Sequence, residues 1–185
     1  MINKETIVQL DLQVAQWLHA HAFEPMTSFM LGISLLHTVA GIAVLAALFA
    51  LYLRRRQAYY WLWVLLVAVP SGMLLNVLLK YVFQRSRPVF EHPLVTLTTY
   101  SFPSGHASSA TLLYGVLVCY LVRQHRYKAV PACVLMVLLV ATSRMYLGAH
   151  YLTDVLAAMA EGVIWLAICM TAISALQRRR ASAKP

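Results

Sequence analysis

The sequence predicts an all-α integral membrane protein: a compact bundle of about five transmembrane helices, preceded by an amphipathic helix at the membrane interface. Three observations predict it. The chain of 185 residues is 61% hydrophobic, with a mean hydropathy of +0.70. Only 11% of its residues are charged, against about 25% in soluble domains. Five apolar segments follow one another, each near the ~20 residues a helix needs to cross a bilayer.

Residues 5–20 bring Ile7, Leu10, Val14, Trp17 and Leu18 round at helical spacing, with Gln9, Gln13 and Gln16 between them. The segment is too polar to span. It reads as a helix in the interface, or equally as one packed on the protein's own outer face. The apolar segments run over 29–53, 58–80, 105–123, 129–147 and 152–176. Pro70 should kink the second, and a neighbouring helix would then satisfy the freed carbonyl. Tyr59, Tyr60, Trp61 and Trp63 form an aromatic belt at one end of that span. The chain therefore reads as a single membrane-embedded domain over 1–185. Its parts are an interfacial N-terminal segment (1–26), a helical bundle (27–176) and a basic cytoplasmic tail (177–185). The acidic and basic residues Lys4, Glu5 and Asp11 argue against a cleavable signal at the start. Cys119, Cys133 and Cys169 all fall in apolar segments, with spacing that suits neither a metal knuckle nor a redox pair, so they read as small buried hydrophobes.

A net charge of +9 would fit a nucleic-acid binder, but its placement points to topology instead. Arg54, Arg55 and Arg56 follow the first span; Arg123, Arg126 and Lys128 follow the third; Arg178, Arg179, Arg180 and Lys184 follow the fifth. With five spans these runs share one side, which the positive-inside rule makes cytoplasmic. No nucleic-acid partner is expected. The opposite, outer side then receives the N-terminus, the loop 81–104 and the turn near 148–151.

That outer side also collects the chain's polar chemistry. His150 and Asp154 stand four residues apart, one helical turn on one face. A carboxylate there accepts the imidazole Nδ1 proton and leaves Nε2 with a lone pair, which makes a nucleophile. The plainer alternative is a His–Asp pair closing a helix start. Pro103-Ser104-Gly105-His106 leads into the third span, where a serine cap, a glycine and free N–H groups suit an anion. His106 is placed there to protonate a departing oxygen, or else it is a solvated histidine beside an ordinary cap. Lys80, Arg87 and Arg144 supply the positive charge that phosphoryl transfer needs. Arg85 is read as a side chain snorkelling at a helix end. His106, His150 and Asp154 could together ligate a metal, but three cations at the same face disfavour it. No metal or other cofactor is expected. Glu161 lies deeper on the Asp154 face, either functional or simply hydrogen-bonded. Asn76 sits one turn before Lys80 and is placed to hold it. His37 reads as an interhelical hydrogen-bonding residue, His19, His21 and His92 as exposed or interfacial, and His125 as a cytoplasmic loop residue.

Taken together, Lys80 with Arg87-Pro88, Pro103-Ser104-Gly105-His106, and Ser143-Arg144 with His150 and Asp154 resemble the three-part signature of the type 2 phosphatidic acid phosphatase superfamily. The resemblance spans residues 80–154. It implies cleavage of a phosphate ester or anhydride without a metal, through a phosphohistidine. His150 would attack phosphorus, Asp154 would orient it, and His106 would protonate the leaving group and then activate water. Lys80, Arg87, Ser104, Gly105 and Arg144 would hold the phosphoryl oxygens. The short chain is similar to small bacterial members, which implies a multi-pass protein of the bacterial inner membrane with its site on the periplasmic side. The expected partners are membrane lipids and a lipid phosphate or diphosphate substrate. Undecaprenyl diphosphate, converted to undecaprenyl phosphate, is the first expectation, although several members of that branch carry an acid where Gly105 stands. Phosphatidylglycerophosphate or phosphatidate follows, then the lipid A 1-phosphate. A rival class is an anion or lipid transporter, but transporters bind near the midplane between repeated halves, and no repeat is visible here.

Overall fold

A computed structural model describes residues 4–91 and 93–182. His92 and Lys184, both assigned above, lie outside the described residues. Seven α-helices follow in order: α1 (Lys4–Ala20), α2 (Met26–Leu36), α3 (Val39–Arg55), α4 (Tyr59–Phe83), α5 (Gly105–Arg123), α6 (Val130–Tyr146) and α7 (Leu152–Ser182). Helices α4, α5 and α7 are each long and apolar enough to cross a membrane, α6 is so together with the short 3-10 turn before it (Tyr127–Tyr146), and α2 with α3 passes the same test as one bent pair. The protein is thus a multi-pass all-α membrane protein.

The first span departs from the expected single helix over 29–53. It is broken into α2 and α3, which meet at 60°. The break has a local cause. Thr38 takes an extended conformation, and its side chain accepts the Gly41 N–H, so α3 begins with its own N-cap. The corner also brings Gly41 against the end of α2: a Cβ there would stand 2.0 Å from the Leu36 carbonyl oxygen. His37 fills the break as an interhelical residue. Its Nδ1 lies 2.8 Å from the Ile33 carbonyl and its Nε2 lies 3.0 Å from the Tyr114 hydroxyl on α5.

Helix α5 is central and packs on α3, α4, α6 and α7. The main core gathers Val64, Leu65 and Ala68 of α4, Leu112 and Val116 of α5, and Leu166 of α7. Cys133 and Cys169 are buried as expected, whereas Cys119 is only half-buried. α4 continues through Pro70. One residue on, the Ser71 hydroxyl donates to the Val67 carbonyl (2.5 Å) and accepts from Trp165 Nε1 of α7 (2.9 Å). α7 extends past the expected end at 176 and includes the three arginines of the tail.

Helix α1 packs on α6 and α7. The face it turns inward carries Asp11 and Ala15, while Ile7, Leu10 and Trp17 of its apolar stripe stay exposed. The helix is thus packed on the bundle while part of its apolar stripe stays exposed.

The corner at Gly41 yields a stability prediction. A Cβ there meets main chain, which cannot rotate away, so Gly41→Ala should cost about 1–3 kcal/mol by overpacking. Its melting temperature in detergent should fall accordingly. A melting curve superimposable on the wild type would contradict the described corner.

Candidate active site

The polar residues singled out above sit where α4 ends, α5 begins, α6 ends and α7 begins. Alternating helix directions put all four at one end of the bundle. The basic ends of α3, α5 and α7 lie at the other.

Lys80 stands in the last turn of α4, which Gln84 terminates in a left-handed conformation (φ 46°). Its ammonium donates to the carbonyls of Tyr100 (3.0 Å) and Pro103 (2.7 Å). Asn76 does not hold it: the Asn76 amide donates instead to Glu161 Oε2 (2.8 Å). Glu161 is therefore hydrogen-bonded beneath the site. Arg87 reaches across the following loop, donating to the Thr99 carbonyl (2.7 Å), the Thr99 hydroxyl (2.9 Å), the Tyr100 carbonyl (3.1 Å) and the Ala149 carbonyl (2.6 Å).

Ser104 occupies the N-cap position of α5 in an extended conformation, but its side chain makes no capping bond. Its hydroxyl is buried without a partner, so the expected Ser cap is not formed. Its N–H donates to the Asp154 carbonyl (3.2 Å), tying the start of α5 to the start of α7. The first N–H groups of α5 have no intrahelical acceptor by construction and carry the positive end of its dipole. A Cβ on Gly105 would stand 3.4 Å from Asn76 Oδ1 and 4.0 Å from Lys80 Cε, so this residue faces the Lys80 side. The charged or chargeable neighbours of the His106 ring are Arg144, His150, His37 and Arg87.

Arg144 is buried near the end of α6. One guanidinium nitrogen donates to the Ser34 hydroxyl of α2, and its Nε is buried without a partner. The chain then folds back on it. Gly148 adopts φ +69°, and a Cβ there would meet the Phe90 ring at 2.8 Å, so conformation and space both demand glycine. The N–H groups of Ala149 and His150 return to the Arg144 carbonyl (3.0 and 3.2 Å). This turn returns His150 to the end of α6, where the Arg144 charge acts on its imidazole.

His150 is only 2% exposed. Its Nε2 lies 3.3 Å from Arg87 Nη1. A guanidinium only donates, so Nε2 is the accepting nitrogen and Nδ1 carries the proton. That Nδ1 lies 3.5 Å from Asp154 Oδ2. Asp154 is fully buried. At 3.5 Å the expected hydrogen bond from Nδ1 is not formed and Nδ1 has no partner; Asp154 Oδ2 accepts instead from the Ser101 hydroxyl and the Tyr151 N–H (2.9 Å), and its Oδ1 accepts from Arg85 (2.7 Å). Arg85 therefore does not snorkel. Its second arm binds Asp11 of α1 (2.7 Å), and its guanidinium lies 4.2 Å from the Tyr151 ring centre. Ser101, Arg85, Asp11 and Ser34 were not expected at the site. Only the position of Arg85 and Ser101 in the polar loop after Lys80 hinted at them. His21 is exposed, as expected, and bonds its own helix (2.8 Å to the Trp17 carbonyl). His19 is partly covered, stacked 4.1 Å from the Phe90 ring.

The electrostatics are those of an anion site. Among the described residues, no group of three or more His, Cys, Asp or Glu side chains gathers to hold a metal ion. Instead Arg87 and Arg144 stand near both imidazoles, Lys80 lies near these two cations, and buried donors on Ser104 and Arg144 lack partners. Burial pushes the His150 imidazole from 6.5 down to about 4; Asp154 opposes the shift, while Arg87 and Arg144 reinforce it. An imidazole depressed in the folded state takes up its proton more readily when unfolded. The stability it contributes is present above about 6.5 and is lost as pH falls toward about 4. The melting temperature should drop across that window, and His150→Gln should flatten the drop. An unchanged pH dependence in the variant would contradict the assignment.

Comparison with known proteins agrees with this geometry. The family model described as the PAP2 superfamily matches residues 61–178. Phosphatidylglycerophosphatase B of Bacillus subtilis is 36% identical over 106 residues, 54% of this chain and 52% of that protein, so the match spans about half of the relative's length. Decaprenylphosphoryl-5-phosphoribose phosphatase of Mycobacterium tuberculosis is 34% identical over 151 residues, 76% of each chain. The crystal structure of a PAP2-type phosphatidylglycerolphosphate phosphatase from Bacillus subtilis superposes with a TM-score of 0.75 at 25% identity, covering 96% of this chain and 89% of that one. The LpxE structure of Aquifex aeolicus gives 0.74 at 20% identity, covering 88% and 95%, and supports the fold alone. With its three polar stretches gathered at one end of a matching helical bundle, the chain belongs to the PAP2 superfamily.

Proposed function

We propose that the protein is a membrane lipid phosphatase that works through a phosphohistidine on His150, without a metal ion. One observation carries this reading: the Nε2 lone pair of a buried imidazole is held against the Arg87 guanidinium, 3.3 Å away. A nucleophile that already touches a phosphate-binding cation is poised to meet phosphorus once the phosphoryl oxygens draw that cation to themselves.

In the proposed cycle, Nε2 attacks phosphorus and the P–N bond forms as the P–O bond to the leaving group breaks. His106 delivers a proton to the departing oxygen. Asp154 stabilises the charge that develops on the His150 ring. Water then attacks the phosphohistidine, His106 takes its proton, and the P–N bond breaks to release inorganic phosphate. Lys80, Arg87, Arg144, the Ser104 hydroxyl and the N–H groups at Gly105 hold the phosphoryl oxygens. Their charge does the work that a metal would otherwise do.

For the substrate, the relatives move phosphatidylglycerophosphate ahead of undecaprenyl diphosphate. Both sequence relatives described above are named as phosphatases of phosphorylated lipids, and the one from Bacillus subtilis is named for phosphatidylglycerophosphate. The basic ends of α3, α5 and α7 support a site on the extracytoplasmic face of the inner membrane.

Purified wild type in detergent, offered phosphatidylglycerophosphate, phosphatidate and undecaprenyl diphosphate side by side, should release phosphate and prefer the first. His150→Ala should release none while remaining folded. Activity should survive a chelator and yield to vanadate, a mimic of five-coordinate phosphorus. Strict dependence on an added divalent metal would overturn the mechanism. Replacing Arg54, Arg55 and Arg56 with acids should disturb membrane orientation; an orientation reporter that does not respond would overturn the assigned side.

A further inference from the structure

We propose that Asp11 of the N-terminal helix is a positioning residue for catalysis, acting through Arg85 on Asp154. The inference rests on the phosphatase reading above and extends the site to a helix outside the family-matched region.

Asp11 lies on a helix whose outward face is apolar, yet it is 1% exposed. Its Oδ1 accepts the Thr153 N–H (2.9 Å), and its Oδ2 accepts the Thr153 hydroxyl (2.5 Å) and Arg85 Nη2 (2.7 Å). Arg85 Nη1 in turn donates to Thr153 Oγ1 and to Asp154 Oδ1, both at 2.7 Å. One planar guanidinium thus spans two buried carboxylates, and the rigidity of its fork sets the distance between them. Burial works against the Arg85 charge, but the two carboxylates outweigh it, so its pKa sits above the usual value. Without Asp11, Arg85 would face Asp154 alone and could swing toward solvent, since its side chain is 28% exposed. Asp154 would then lose the contact that keeps its other oxygen 3.5 Å from His150 Nδ1. The remaining charged groups around His150 are Arg87, Arg144 and His106.

A simple role in anchoring α1 makes a different prediction, and a double-mutant cycle separates the two. Asp11→Asn should lower kcat by about tenfold to a hundredfold with KM unchanged, the scale of a misaligned reacting group. Arg85→Gln should lower it at least as far. The double variant should lose no more than Arg85→Gln alone, because Asp11 acts through Arg85. Equal factors for Asp11→Asn in both backgrounds, or a change confined to KM, would overturn the proposal. Should Asp11→Asn fail to elute as a folded protein in detergent, Thr153→Val takes its place in the cycle with the same expectation.

A readout independent of turnover is the His150 ring titration, followed by NMR in histidine-labelled protein. Arg85→Gln leaves Asp154 without its countercharge and should move that titration up. Asp11→Asn frees Arg85 to leave Asp154 part of the time and should move the titration in the same direction, by no more than Arg85→Gln does. Identical titrations in all three forms overturn the coupling. Absence of phosphate release by the wild type, with the titrations behaving as described, would instead count against the phosphatase reading and leave the Asp11–Arg85–Asp154 linkage standing.

Discussion

The structure of this site depends on keeping one buried carboxylate ionised. Asp154 is fully enclosed, and an unpaired charge in that position would cost several kcal/mol. It is tolerated because donors reach it from the loop after α4 (Arg85), the approach to α5 (Ser101) and its own first turn (Tyr151). Its main-chain carbonyl is bonded as well, by Ser104. Segments far apart in the chain must therefore converge on it, and their convergence brings His106, His150 and the cations to one end of the bundle. The contact with His150 follows from this arrangement.

The loop over 84–104 faces a related constraint. Its described residues form no regular secondary structure to pair their carbonyls, and buried carbonyls need donors. Lys80 and Arg87 supply them at Tyr100 and Pro103, and Arg87 also holds the exposed Thr99 carbonyl. Those same donors suit phosphoryl oxygens. If these groups bind the phosphate as proposed, holding the loop and binding an anion would draw on the same donors. The left-handed turn at Gly148 makes the complementary contribution from the other side, wrapping the chain around Arg144.

Within the bilayer, apolar contact does not favour one helix neighbour over lipid, so packing and interhelical hydrogen bonds set the register. The bundle has such a bond at several levels: His37 to Tyr114 joins the α2–α3 corner to α5, Trp165 to Ser71 and Asn76 to Glu161 join α4 to α7, and Tyr60 to Ser174 does so again near the basic end. Glu161 fits this series as a bonded partner below the site. The close approach at Gly41 completes the frame by folding α2 back over α6, where Ser34 meets Arg144.

Hydropathy and spacing alone determined the four long spans, the position of the polar stretches at helix ends, and their common side. These are local properties: apolar length sets a span, and the number of spans between two loops sets whether they share a face. The break in the first span was hidden because His37 and Thr38 interrupt an otherwise apolar run too briefly to alter its average. Ser104 looked like a cap from its neighbours, yet tertiary packing left its hydroxyl free. Arg85 and Asp11 show the limit most clearly. Arg85 sits where a lysine or arginine ordinarily snorkels, and Asp11 is a lone acid at the edge of the apolar stripe of an amphipathic helix, one turn after Ile7. Only the folded chain turns that edge inward and joins residues separated by 69 and 74 positions. An ion pair depends on distance in space, and no local pattern in the sequence encodes that distance.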